Sequence, residues 1–148
     1  MLELKSEHSA FKFEIIGYQF PDNCGNEYDG NWLMIKLDVI KGALQWSETD
    51  PCLFTWEVRE IAEWFHKLDS NRKVKSHCIR FTEPNIWFNY DEIAGERVRI
   101  SIYFDAELLP PEWDESKECF IDFELSKAAL LNAGRMLEGE LIKSPVRK

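Results

Sequence analysis

The chain has 148 residues, 45% of them hydrophobic and 14% aromatic, which suffices for one domain with a sizeable core and excludes a disordered chain. Its 18 basic and 27 acidic side chains give a formal charge of −9. A field of that sign repels phosphate backbones and anionic membrane surfaces and attracts basic partners, so direct nucleic-acid binding and membrane association are disfavoured, though acidity also serves solubility alone.

Met1 to Ser9 alternates apolar and charged residues and contains no apolar signal core. No stretch approaches the ~20 apolar residues of a membrane span. Phe11 to Phe20 reads as the first strand, with Phe11, Phe13 and Ile15 alternating with Lys12 and Glu14, and ends in turn formers at residues 21–26. Asn31 to Lys41 is a second strand, carrying Leu33, Ile35, Leu37 and Val39 on one face. Gly42 permits a tight turn into a short third strand, Ala43 to Trp46. Thr55 then reads as the N-cap of a helix whose buried stripe is Val58, Ile61, Ala62, Phe65 and Leu68. Trp56 and Trp64 fall off that stripe and suit rim contacts with a sheet. Asp69 to Lys73 ends the helix.

His77 to Glu83 and Ile86 to Asp91 form two further strands around Pro84-Asn85, and Ala94-Gly95 makes the next turn. Val98, Ile100, Ile102 and Phe104 alternate through the clearest strand of the chain. Cys119, Ile121, Phe123 and Leu125 mark the last one. Ser126 caps a C-terminal helix with a Leu130, Ala133, Leu137 and Leu141 stripe, weakened by Gly134 and Gly139 at ~1 kcal/mol each. The basic tail Lys143 to Lys148 is expected to fray. Residues 1–148 thus form a single α+β domain, a largely antiparallel sheet of about six to seven strands with one central and one C-terminal helix on one side or at one end. A bent sheet or partial barrel is a variant of the same pattern.

The search for chemistry is mostly negative. Cys24, Cys52, Cys78 and Cys119 form no C-x-x-C pair and no zinc-type cluster, which fits a reducing cytoplasm; Cys78 and Cys119 act as small hydrophobes in strands. His8, His66 and His77 are scattered, and no nucleophile elbow, phosphate loop or dinucleotide motif occurs. Cys52, just before the central helix, is the best nucleophile candidate, but it lacks a base partner. Neither a catalytic residue, a metal site nor a cofactor is expected.

Carboxylates are plentiful. Asp105, Glu107, Glu112, Asp114, Glu115 and Glu118 crowd the segment around Leu109-Pro-Pro-Glu-Trp, where Trp113 offers an aromatic anchor. A solvated acidic loop, a hard-cation site and a docking surface for a basic protein compete there; the spacing lacks the calcium-loop pattern. Asp22, Glu27 and Asp29 around Tyr28 form a second docking candidate. Trp87, Arg80, Arg99 and Tyr103 on the wetted sheet face are a third mixture of interface type, unless helices cover Trp87.

Tyr18-Gln-Phe-Pro, Asp29-Gly-Asn-Trp-Leu, Asp50-Pro-Cys-Leu-Phe-Thr-Trp-Glu, Phe81-Thr-Glu-Pro-Asn-Ile-Trp-Phe, Leu109-Pro-Pro and Pro145-Val-Arg, in that order, resemble the WapI family of bacterial immunity proteins. The resemblance spans nearly the whole chain. It implies a cytoplasmic, non-enzymatic antitoxin that neutralises the C-terminal domain of a WapA-like toxin, often a nuclease acting on tRNA. An acidic inhibitor can be steered to the basic surface with which a nuclease holds RNA. The competing expectation is a non-catalytic binding or scaffolding module for a different protein.

Overall fold

The computed structural model describes residues 1–22, 26–69, 77–93 and 97–147. Among them run eight strands and two α-helices in the order β1 (Leu2–Lys5), β2 (Ser9–Tyr18), β3 (Trp32–Lys41), β4 (Leu44–Phe54), α1 (Thr55–Asp69), β5 (Cys78–Ile79), β6 (Ile86–Ile93), β7 (Arg97–Phe104), β8 (Cys119–Ser126) and α2 (Lys127–Lys143). All neighbouring strands pair antiparallel. They form two sheets, β1-β2-β3-β4 and β5-β6-β7-β8.

The α+β class, the antiparallel pairing and both helices match the reading of the sequence. The strand set differs in three places. Leu2 and Leu4 are buried and pair with β2, so the N-terminal alternation is itself a strand. β4 runs on to Phe54, through Pro51. A proline is tolerated there because β4 is an edge strand and its register with β3 shifts beside it, where no ladder donor is required. β5 is shorter than expected, only Cys78 and Ile79 being paired. The expected turn at Ala94-Gly95, the residues just after Asp69 and Cys24 lie outside the described residues.

Each sheet turns its apolar residues inward. Phe11 of β2 meets Phe104 of β7 at 6.2 Å between ring centroids, and Trp46 of β4 meets Phe104 edge-on at 5.6 Å, so the inner faces touch and share one core. α1 buries the anticipated stripe, and Phe65 packs against Phe88 of β6. Trp64 is buried as well, against Phe88 and Tyr90, rather than sitting at a rim. α2 lies beside α1. At Gly134 of α2 a Cβ would stand 2.8 Å from Cε1 of His66 on α1, whose Nε2 lies 2.6 Å from Oε1 of Glu138. That glycine weakens the helix but admits the neighbouring side chain.

The helix starts differ in detail. Ser126 accepts from the Ala129 amide, as a cap should. Thr55 does not cap α1; its hydroxyl donates to Asn31. Glu57 takes over, one oxygen accepting from the Phe54 amide and the other from the Thr82 amide and hydroxyl. The tail does not fray through Arg147. Its backbone pairs with the Asn31 side chain, its guanidinium donates to the Phe20 and Pro21 carbonyls, and Tyr18 donates to the Pro145 carbonyl. A basic composition predicted solvation, but four directional bonds and the Tyr18 ring under Arg147 outweigh it.

Candidate functional site

The nucleophile candidate of the sequence is not activated by its surroundings. Cys52 is fully buried, and desolvation, reinforced by Asp50, pushes its thiol well above the ordinary cysteine range, opposite to an activated nucleophile. His66 engages Glu138 on α2, and His77 stacks on Tyr90 at 4.6 Å. Among the described residues no group of three or more His, Cys, Asp or Glu side chains is placed to hold a metal ion. No helix among them is long and apolar enough to cross a membrane.

The segment from Asp105 to Glu118 is a built loop. Asp105 caps a 3-10 turn at Ala106–Leu108, Leu108 and Pro110 are buried, and the Leu108 carbonyl accepts from the Trp46 indole. Trp113 is half-buried against the core and donates its indole N–H to the Lys117 carbonyl. Asp114 accepts from the amide and hydroxyl of Ser116, which hold its carboxyl below the usual range. Glu112, Asp114, Glu115 and Glu118 are exposed. Glu107 leaves this group: it shares the Asn85 amide with Asp50, at 2.8 and 3.2 Å respectively. Burial, then repulsion by Glu107, Glu83 and Glu48, raises the Asp50 carboxyl. The folded chain thus has an acidic pole around Asn85 that linear spacing did not reveal.

The second candidate gains partners from distant segments. Tyr28 stands at the start of a 3-10 turn, Asp29–Asn31, and is 61% exposed. The Phe54 ring lies between Trp32 of β3, stacked at 3.6 Å, and Trp56 of α1, stacked at 4.4 Å. Tyr28 leans across the side of this stack, 6.2 Å from Phe54 and 6.1 Å from Trp56 and steeply inclined to both. Asp22 and Glu27 are exposed and Asp29 half-buried, its carboxylate accepting from Asn26 Nδ2 and its backbone N–H donating to Asn26 Oδ1. Beneath them Asn31 is fully buried with all its polar valences used: Oδ1 accepts from Thr55 Oγ1 and the Arg147 amide, and Nδ2 donates to the Glu27 and Arg147 carbonyls. One side chain therefore ties the Tyr28 turn, the start of α1 and the C-terminal tail together. Tyr28 among carboxylates and Trp56 lying off the helical stripe were the sequence signals for this cluster; nothing in the sequence joined them to Trp32, Phe54 or the Asn31 brace.

The third mixture also assembles, on the face of the second sheet opposite the buried Phe88, Ile102 and Ile121. Trp87, Tyr103 and Phe120 are direct cross-strand neighbours, stacked at 5.2 and 5.1 Å, with Arg80 over Trp87 and Lys41 over Phe120 at the two ends. Their ring faces are occupied by one another and by the chain's own cations, so only edges remain for a partner. Arg99 stands two rows away, 3.7 Å from Glu124.

Tyr28 is thus an exposed ring beside carboxylates, resting on the buried Phe54. The class is set by a family model: the one described as the immunity protein WapI-like family matches residues 1–145, which makes this an immunity-type molecule. The chain belongs to the WapI-like immunity protein family. No curated protein and no solved structure matches it.

Proposed function

We infer that the chain is a stoichiometric inhibitor that binds the nuclease-type C-terminal domain of a WapA-like toxin in the cytoplasm and occludes it, without turnover of its own. Family membership supplies the class, and the observation that supports the mode of action is the outward display of carboxylates beside a preformed aromatic cluster at Tyr28. A nuclease surface that grips RNA is cationic, and a chain of net charge −9 is drawn to it and screens it. Two surfaces are offered for contact: Asp22, Glu27, Tyr28 and Asp29, and the loop bearing Asp105, Glu112, Trp113, Asp114, Glu115 and Glu118, from which Glu107 has turned to Asn85. Rings already packed against the fold lose little freedom on binding, which favours the first as the anchor and leaves the second as a charged rim.

The decisive experiment is co-expression with the C-terminal domain of the cognate WapA-like toxin. Cell survival together with co-purification at one-to-one stoichiometry is the expected result. Cells that die despite full expression of the folded chain refute the inhibitor reading.

A further inference from the structure

The Tyr28 cluster has the construction of a receptor for one particular kind of side chain. Three rings, Trp32, Phe54 and Trp56, come from three different elements and are stacked in a fixed pile. Tyr28 stands steeply against its side and keeps 61% of its surface open. Glu27 and Asp29 flank that ring in the chain, and Asp22 lies on the same loop. An open aromatic face has a negative quadrupole, and anionic neighbours add to it, so the surface attracts a cation that can also lie flat. Guanidinium meets both conditions: it is planar, weakly hydrated and always charged, whereas ammonium is compact and strongly hydrated.

The same end of the molecule already shows this pairing internally. The Arg147 guanidinium lies 3.4 Å over the Tyr18 ring while donating to the Phe20 and Pro21 carbonyls. On the second sheet the equivalent positions are filled by Arg80 and Lys41, which leaves Tyr28 as the exposed ring among these clusters.

We propose that the open face of Tyr28, backed by Trp56 and Phe54 and flanked by Glu27 and Asp29, seats an arginine side chain of the partner protein. The assignment rests on the inhibitor reading for the identity of the partner but not for the chemistry of the seat. It places the anchor of the complex at the Asn31-braced turn and leaves the Glu112 to Glu118 loop a peripheral role.

The test separates the two. Indole N–H signals of the ¹⁵N-labelled full chain are followed while a capped Gly-Arg-Gly-Arg-Gly peptide is added, with its neutral citrulline counterpart as control. Saturable shifts at Trp56 are expected with arginine only. Tyr28→Ala should weaken the interaction about fivefold, and Tyr28→Phe, which keeps the ring, should preserve it. No shift at Trp56 up to roughly 10 mM peptide, equal shifts with citrulline, or shifts confined to Trp87 or Trp113 would each overturn the seat. In the survival assay, a wild-type chain that protects together with a Tyr28→Ala chain that protects equally well also rejects the seat while leaving inhibition intact. A wild-type chain that fails to protect rejects inhibition, and the peptide titration then judges the seat alone.

Discussion

Truncating Asn31 to alanine is expected to be among the most damaging polar substitutions in this chain. The side chain is fully buried and makes four hydrogen bonds, at 2.6 Å to the Glu27 carbonyl, 2.9 Å to the Arg147 carbonyl, and 2.8 Å each from the Arg147 amide and the Thr55 hydroxyl. The Glu27 and Arg147 groups lie near the surface and regain water after truncation, so each loss is worth about 0.5–1 kcal/mol. Thr55 is itself fully buried, and stranding its hydroxyl costs about 1–3 kcal/mol. Together these give about 2.5–6 kcal/mol, or a fall of roughly 8–19 °C in Tm for a chain of this size. Urea unfolding of the wild type, Asn31→Ala, Thr55→Val and the double variant measures the total and the pairwise part. The midpoint should fall at constant slope, and the two sites should couple by about 1 kcal/mol, because valine at position 55 removes the group that alanine at position 31 would strand. A loss under about 1 kcal/mol for Asn31→Ala, or strict additivity in the cycle, refutes the view that this amide holds the turn, the helix start and the tail in place.

Gly134→Ala should reverse the usual helix preference: the new methyl meets the His66 ring and displaces it from Glu138, for a net loss of about 1 kcal/mol. In a His66→Ala background the same change should stabilise by about 1 kcal/mol, and thermal melts that show no change of sign reject the contact. Asp50→Asn should raise stability at neutral pH. Because the folded carboxyl is raised, the folded state holds its proton longer, and the penalty appears as pH climbs past the unfolded value of about 3.9. Unfolding midpoints of variant and wild type should therefore converge below about pH 4, and a gap that persists in acid disproves the assignment. Cys52 should react with a thiol reagent no faster than the chain unfolds globally, and rapid labelling under native conditions contradicts its burial. Association with the toxin domain should slow steeply between low and physiological salt, since steering is screened over about 8 Å at 0.15 M; an on-rate flat across that range argues against charge-guided docking.

Local alternation by itself determines a large part of this molecule. The period of two through Phe11, Phe13 and Ile15, or through Val98, Ile100 and Ile102, fixes which face of a strand meets the core, because successive side chains must point to opposite sides. The stripe from Val58 to Leu68 fixes the buried side of α1 in the same way. Periodicity says nothing, however, about which strands lie next to one another. Partition into two sheets, the length of β4 and the pairing of β1 appear only in the folded chain, where Pro51 falls on an edge strand and Phe11, Trp46 and Phe104 meet across the two inner faces.

The candidate surface divides along the same line. Residue types and chain neighbours, such as Tyr28 between Glu27 and Asp29, are legible in the sequence because they are contiguous. The meeting of Trp32, Phe54 and Trp56, the removal of Glu107 from its loop to Asp50, and the Asn31 brace reaching Arg147 join residues up to 116 positions apart. Such contacts follow from how whole elements pack, where buried polar groups must find partners and aromatic faces must be covered, and a one-dimensional pattern holds no record of that choice.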